Sequence, residues 1–520
     1  MQDTGYKIMN VAELLERTEY RIVRGDTDAE VTGICFDNRK VREGDAFVCI
    51  RGVLFDTHSV IGQITDAHPS VIITDEKWAS EQDVADLEEL DACIVAVKDT
   101  RAAKAVVSAA WYGYPSEKMT VIGVTGSKGK TTTSHMIWSM LCQADMKAGL
   151  ISTTGGHIGD QSVHFGTTTP DSDKLQEFLK RMADAGCEYA VVEASSQGLK
   201  MHRTDMIDFD YGVFLNIEKG DHISPTEHKD FSEYLDCKRK LLRSSRTSIV
   251  NGDDEHIDEM FDGVKGKVIR YGSDAGQGND YLVSNVSEIM SDGRPCVSFD
   301  LIDVSSKSGE NDTEAAGTDK EVLIGMPGTF NAGNAAAAVI VAKRLGVPDT
   351  DIREALKNIK VPGRLDMIYR SDDLSICIDY AHNGLSTRNL LKALRSYRPK
   401  RLVCVFGCGG NRDVERRPEM GEASGELADL SIITTEHNRF EDFDDILKGI
   451  MEGIDRTTGK YEIIEDRKEA IRHAIMDSEP GDLITILGIG NDGVQHDHGR
   501  DIPHDDISYS LEVVDEWLKK

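Results

Sequence analysis

Short apolar runs alternate with amphipathic stretches through most of this chain, a rhythm that predicts strands followed by helices and hence parallel sheets covered on both faces. Met119 to Gly126 reads as a buried strand, Ser127 to Thr133 as a turn and Ser134 to Asp145 as a helix. Strand-like runs at 189–195 and 211–217, with a helical pattern over 173–186, extend this into a doubly wound central unit. Upstream, the runs Ala46–Ile50 and Ser70–Glu76 and the helical spacing of Arg101–Trp111 predict a small α/β unit, closed by a linker at Gly113-Tyr114-Pro115-Ser116. Between 281 and 326 the pattern turns hairpin-like, and the polar, low-complexity stretch 305–320 reads as a mobile loop. After a helix over 351–359, Val361-Pro362-Gly363 marks a second linker. Four further strand-like runs, 375–382, 401–410, 430–436 and 483–490, predict a third, parallel α/β unit. The expected architecture is therefore three α/β domains, at 1–116, 117–360 and 361–520.

Composition narrows the function. With 39% hydrophobic residues and only 12 Pro the 520-residue chain is globular, and its net charge of −31 disfavours nucleic acid as a partner. An anionic ligand must then be held by local donors. The ten cysteines are scattered and read as buried reduced thiols. The N-terminus lacks an apolar secretion segment and no run approaches the ~20 residues of a membrane span, so a cytoplasmic protein without membrane insertion is expected.

The strongest chemical signal is the run from Gly123 to Thr133. A strand feeding a glycine-rich turn that opens a helix aims backbone N–H groups and the positive helix end at one point, where phosphate can sit. Lys130 would reach the β- and γ-phosphates and the Thr131 hydroxyl would ligate Mg²⁺. The spacing departs from the usual P-loop pattern, since Val124 stands where its first glycine would fall. Glu193 ends a predicted strand, where it could hold Mg²⁺ or be a solvated carboxylate. Thr167-Thr168-Thr169-Pro170-Asp171 reads equally as a capped helix start or a ligand loop. Asp221-His222, Glu227-His228 and Lys238 lack zinc spacing and suit hard-metal chemistry better. Trp138 and Met140 are expected in the core.

Together these residues resemble the Mur ligase family, the ATP-dependent amide-bond ligases of peptidoglycan assembly, over about residues 33–506. Gly126-Ser127-Lys128-Gly129-Lys130-Thr131-Thr132 matches the family's ATP loop, Asn331 and Asn334 its adenine segment, and Arg364 and Asp379 its nucleotide contacts from the third domain. Phe36 to Arg39 is similar to the uridine segment, with Asn38 where the family usually has Ser, and Thr168, Thr169, Ser195 and Arg203 fall on contacts to the muramoyl-dipeptide. The resemblance implies that Thr131, Glu193, His222 and a carbamylated Lys238 hold Mg²⁺, with Lys130, Glu193, His222 and Lys238 catalytic. It implies that Arg412, Glu436, His437, Asn438, Arg439, Gly488 and Asp492 receive the incoming amino acid. Here Glu436-His437-Asn438-Arg439 replaces the Asp-Asn-Pro-Arg of diaminopimelate-adding members, and Gly488-Ile489-Gly490-Asn491-Asp492 replaces Gly-Lys-Gly-His-Glu.

The resemblance therefore implies a small N-terminal uridine-nucleotide domain, a central P-loop-type ATPase domain and a Rossmann-like C-terminal domain that closes over it. The implied reaction joins an amino acid, L-lysine favoured over meso-diaminopimelate, to the D-glutamyl γ-carboxylate of UDP-N-acetylmuramoyl-L-alanyl-D-glutamate through an acyl phosphate. ATP, Mg²⁺ and the Lys238 carbamate are the expected cofactors, and a monomer is expected. Two rivals are a related amide ligase acting on another carboxylate, such as a folate polyglutamate, and a non-catalytic paralogue.

Overall fold

Three sheets organise the chain in a computed structural model that describes residues 8–52, 55–82, 90–219, 222–224, 227–305, 318–490 and 493–520. Asp221, Asp492 and most of the 305–320 loop lie outside the described residues.

The N-terminal sheet has five strands. Gly33–Cys35, Asp45–Val48, Val71–Asp75 and Cys93–Val97 run parallel, and Tyr20–Arg24 pairs antiparallel at the edge. Helix Thr100–Tyr112 packs an alanine- and valine-rich face on this sheet, capped at its start by Asp99 and ended by Gly113 in the left-handed conformation.

The central sheet has eleven strands. Its parallel heart contains Ala148–Ser152, Tyr189–Glu193, Thr120–Thr125, Phe209–Phe214, Ser245–Asn251 and Lys267–Gly272, in that spatial order. Alternation along Thr120–Thr125 shows why both faces are covered. Ile122 and Val124 enter a core with Met136, Ile137 and Met140 of helix Lys130–Gln143, whereas Val121 enters another with Leu175, Phe178 and Leu179 of helix Ser172–Asp184. Antiparallel strands extend both ends of this sheet. Gly155–Ile158 and Gln161–Val163 add one end; at the other, Tyr281–Ser291 joins Lys267–Gly272 in parallel, and Arg294–Asp303 and Thr318–Ile324 follow antiparallel. The doubly wound reading thus describes the centre of a mixed sheet, and residues 318–320, expected in the loop, are strand.

The C-terminal sheet has six strands. Leu374–Asp379, Asp482–Leu487, Arg401–Phe406 and Leu430–Ile433 are the four parallel strands the apolar runs predict. Tyr461–Ile463 extends them in parallel, and Asp366–Arg370 adds an antiparallel edge that corrects the all-parallel expectation. Both additions are weakly apolar strands on the sheet's margins, where no buried run is needed.

Met140 is fully buried, and half-buried Trp138 donates its Nε1–H to the Ala148 carbonyl at 3.1 Å, both as core residues do. Nine cysteines are buried and free, whereas Cys142 is exposed, so the buried-thiol expectation fails for that one residue. No helix among the described residues is long and apolar enough to cross a membrane.

Candidate active site

In open α/β sheets, ligands bind beyond the carboxyl ends of the strands, where neighbouring connections diverge. Strand Thr120–Thr125 lies between Tyr189–Glu193 and Phe209–Phe214, so its following loop occupies such a crevice. A cavity of about 560 Å³ opens there, lined from the central sheet by Ser127 to Thr132, Thr168, Glu193 and His222, and across from it by Arg364, Asp379, Arg412, Glu436 and Arg439.

The loop is held by its own polar contacts. Ser127 N–H donates to the Asn216 carbonyl at 2.9 Å and Lys128 N–H to Asn216 Oδ1 at 2.8 Å. The Ser127 hydroxyl lies 2.7 Å from Tyr234 Oη. Gly129 closes the turn at φ +83°, and a Cβ there would stand 2.2 Å from Asn334 Oδ1. Asn334 in turn donates to Asn331 Oδ1 at 3.1 Å, so the two asparagines of the expected adenine segment form one unit against the loop. Lys130 Nζ donates to the carbonyls of Gly126 and Ser127 at 2.9 and 3.2 Å.

Glu193 is buried at the end of its strand and accepts from the Thr131 hydroxyl at 3.0 and 3.2 Å. Thr153 adds its N–H at 2.9 Å, and the Thr153 hydroxyl links Glu193 to Thr168 at 3.0 Å. A carboxylate flanked by hydroxyls is a hard-oxygen set suited to Mg²⁺. The solvated-carboxylate alternative for Glu193 is excluded by its burial.

A second set surrounds Tyr234. His222 and His228 lie 5.7 and 5.1 Å from its ring, and the Lys238 ammonium stands 4.7 Å over it. Lys238 is 1% exposed. An ammonium group so buried is costly, which suits conversion to an anion that a metal pairs with. His228 is fully buried, and burial, helped by Lys200, brings its imidazole down to about 4. Among the described residues no three His, Cys, Asp or Glu side chains cluster as a metal site, so the fit depends on Thr131 and on Lys238 as an oxygen donor.

The linker ahead of the third domain is fixed by Asp379, whose half-buried carboxylate accepts from Leu365 and Ala381 N–H groups, each at 2.8 Å. Burial raises the Asp379 carboxyl, and the nearby Arg364 charge opposes this. Arg364 itself lies over the Tyr380 ring. At the far end Glu436 is buried, and its Oε2 has no hydrogen-bond partner among the described residues. Burial raises the Glu436 carboxyl, opposed by His437, Arg467 and Arg439. Arg439 Nη1 donates to the Gly410 carbonyl at 2.8 Å, and Arg412 Nη1 pairs with Glu227 Oε1 at 2.7 Å. Gly488, at φ +110°, lets Glu436 approach, because a Cβ there would lie 2.8 Å from Oε2.

Some expected residues stand outside the cavity wall. Thr169 is buried and donates to the Glu193 carbonyl at 2.7 Å, and Ser195 caps the short helix Ser196–Lys200 by accepting from Gly198 N–H. Both are therefore engaged in holding the loop rather than lining the cavity. The loop reading of 167–171 gains from this, since no threonine caps the helix beginning at Ser172. Arg203 donates to the Thr169 carbonyl at 2.7 Å and pairs with Asp171 at 2.8 Å. Asn38 lies beyond strand Gly33–Cys35 of the N-terminal sheet, and Asn438 faces Asp497 at 3.5 Å. Sequence reasoning missed Asn216 and Thr153, whose contacts hold the loop and Glu193, whereas Arg416, part of the expected amino-acid motif, lines the cavity. For the first two the available signal was position alone, one just beyond a strand and the other in the turn after one.

Comparison with known proteins agrees with this arrangement. The Mur ligase middle domain matches residues 124–342, and the Mur ligase glutamate ligase domain matches residues 363–490. A UDP-N-acetylmuramoyl-L-alanyl-D-glutamate--2,6-diaminopimelate ligase of Caldanaerobacter subterraneus subsp. tengcongensis is 34% identical over 98% of this chain and 100% of its own length. The protein of the same name from Clostridium perfringens is 35% identical over 94% of this chain and 96% of its own. A solved structure of a ligase with this name superposes with a TM-score of 0.63 at 24% identity, covering 98% of this chain and 99% of that one. With loop, asparagine pair and buried glutamate in one cavity, and such relatives matched from end to end, the chain belongs to the Mur ligase family and is an ATP-dependent amide-bond-forming ligase.

Proposed function

We propose that this ligase joins an amino acid to the D-glutamyl γ-carboxylate of UDP-N-acetylmuramoyl-L-alanyl-D-glutamate at the expense of ATP, in the cytoplasm. The observation that carries the reading is one cavity in which the phosphate-type loop, buried Glu193 and the Arg412, Glu436 and Arg439 group face each other. In this reading residues 1–116 bind the uridine nucleotide, 117–360 bind ATP, and 361–520 bind the amino acid.

The γ-carboxylate oxygen attacks the γ-phosphorus of ATP, and ADP leaves as the acyl phosphate forms. The incoming amine then attacks the acyl carbon, loses a proton, and the tetrahedral adduct expels phosphate. Several anions meet in this sequence, so positive charge must be in place beforehand. Lys130 and the loop N–H groups supply it along the phosphates, while Asn331 and Asn334 orient the base and Arg364 and Asp379 hold the covering domain on the nucleotide. Thr131 and Glu193 would hold one Mg²⁺ and His222 with carbamylated Lys238 another. When bound, the metal neutralises the transferring phosphoryl group. Thr168 lines the wall against which the dipeptide lies, Thr169, Ser195 and Arg203 hold its loop from behind, and Asn38 meets the uridine nucleotide.

For the amino acid, the charges of the pocket favour meso-diaminopimelate over the L-lysine that the motifs suggested. The distal end of diaminopimelate carries both an ammonium and a carboxylate, whereas lysine carries only an ammonium. Glu436 presents a carboxylate oxygen that has no partner among the described residues, and Arg439 stands beside it with a guanidinium suited to a carboxylate. The relatives named for 2,6-diaminopimelate agree. Phosphate release should be measured with the UDP-dipeptide, ATP and Mg²⁺ while amino acids are offered singly. Stimulation by meso-diaminopimelate with the matching product mass is expected, and stimulation by lysine alone would overturn the choice of amino acid.

A further inference from the structure

Behind the Glu436 end of the cavity lies a buried ion pair that the reaction itself does not use. Arg467 and Asp506 are 2% and 0% exposed. The guanidinium donates from Nε and Nη2 to the two carboxylate oxygens at 2.8 and 2.7 Å. The same guanidinium reaches two main-chain carbonyls, that of Thr435 from Nη1 at 3.1 Å and that of Leu487 from Nη2 at 2.7 Å. Asp506 also accepts from Gly490 N–H at 3.0 Å and sits 2.7 Å from His504 Nε2.

These contacts have a common geometry. Thr435 immediately precedes Glu436, Leu487 immediately precedes Gly488, and Glu436 packs against Gly488. One guanidinium thus fixes the spacing of the two strand ends between which the Glu436 carboxylate is seated. A second hold comes from the antiparallel ribbon Val494–Asp497 and Arg500–Pro503. Gln495 Nε2 donates to the Thr435 hydroxyl at 2.9 Å and to the Glu436 carbonyl at 2.7 Å, and Arg439 N–H donates to the His496 carbonyl at 3.1 Å. Buried ion pairs rarely gain stability over well-packed apolar side chains, so a pair whose main-chain bonds to Thr435, Leu487 and Gly490 tie two loops together is better explained by the geometry it imposes.

We infer that Arg467, Asp506 and Gln495 are positioning residues for amino-acid selection, setting the separation of the Glu436 and Gly488 loops and thereby which distal group is admitted. The inference rests on the reading of this end of the cavity as the amino-acid subsite. Two variants separate positioning from folding. Arg467→Lys keeps the charge and loses the fork, and Gln495→Leu removes both donations from a half-buried side chain without burying a charge.

Both are expected to raise the KM for the amino acid by about tenfold or more, the factor that one lost charged or paired hydrogen bond produces, while the KM values for ATP and the UDP-dipeptide change less than twofold. The preference between meso-diaminopimelate and lysine should narrow. Amide hydrogen exchange of 435–439 and 487–490 should quicken in the variants without any substrate present. If Arg467→Lys does not fold, Gln495→Leu carries the test. Equal changes in all three KM values, or an unchanged amino-acid KM with unchanged exchange in folded Gln495→Leu, would overturn the inference. If the wild-type chain accepts a different amino acid, the proposed substrate fails while the KM split is read with the accepted one, and the exchange result stands in either case.

Discussion

Arg412 and Glu227 meet at 2.7 Å across 185 residues of sequence, joining the loop after strand Arg401–Phe406 to the segment that carries His222. Glu227 also sits 3.2 Å from His222 Nδ1. Burial pushes the Glu227 carboxyl up, but the His222 hydrogen bond and the charges of His222, Arg412 and Arg416 outweigh this and bring it down to about 2. The carboxylate therefore stays charged through the physiological range, and the loops of the central and C-terminal sheets are drawn together where the proposed amino-acid and metal subsites adjoin.

Removing that charge should loosen the closed arrangement. Glu227→Gln keeps the shape and loses about 1 kcal/mol of ion pairing, the size expected for a partly exposed pair. Small-angle scattering at low salt should show a larger radius of gyration for the variant, and the wild-type chain in high salt should move the same way. Superimposable curves would show that the pair does not hold the domains.

Lys238 gives a chemical prediction. If its buried side chain works as a carbamate, activity in carbon-dioxide-free buffer should fall at least tenfold and return with bicarbonate. Isotopically labelled bicarbonate should give a carbamate carbon signal that Lys238→Arg lacks. Full activity without carbon dioxide, and no such signal, would leave Lys238 as a buried cation against Tyr234.

How far the sequence reached can be seen from these same residues. The central and C-terminal strands were legible because parallel strands covered on both faces are written as continuous apolar runs, as in Thr120–Thr125 and Asp482–Leu487. Lys130, Thr131 and Glu193 were legible because a turn or strand end announces them. Arg467, Asp506 and Gln495 were not, since their partners lie tens of residues away and several of the contacts are to main-chain carbonyls that any residue supplies. Glu227 was visible only as one more polar residue near His222. Its meaning depends on a domain contact, which no local pattern encodes. The antiparallel edges at Gly155–Val163 and Asp366–Arg370 escaped for another reason, being short or half-polar at sheet margins.

His135 makes stability depend on acid. It lies on the helix after the loop, 3% exposed, with Nε2 2.9 Å from the Thr154 hydroxyl. Burial, aided by His157 and Arg364, brings its imidazole from 6.5 to about 3. Between those values the unfolded chain binds a proton that the folded chain does not. The contribution is therefore fully present above about pH 6.5 and is lost progressively as the pH falls toward 3. Urea unfolding at pH 7 and pH 5 should show a smaller acid loss in His135→Gln than in the wild type, and equal losses would exclude His135 as the cause.

Gly129 should be the least replaceable residue of the loop. Its φ of +83° already costs any other residue about 1–2 kcal/mol, and an alanine Cβ would stand 2.2 Å from Asn334 Oδ1. Asn334 cannot simply rotate away, because its amide is spent on Asn331, which is itself tied to the Pro327 carbonyl at 2.9 Å. The strain must then pass either into the loop or into the asparagine pair, and both face the cavity. Gly129→Ala should lower the melting temperature by several degrees for a loss of about 2–3 kcal/mol. It should also weaken ATP binding at least tenfold, whereas Gly159→Ala, where a Cβ meets nothing within 4 Å despite a φ of +54°, should cost only the backbone strain and leave ATP affinity unchanged. Calorimetry and nucleotide titration on the two variants separate backbone strain, which both share, from displacement of Asn334, which only Gly129→Ala produces.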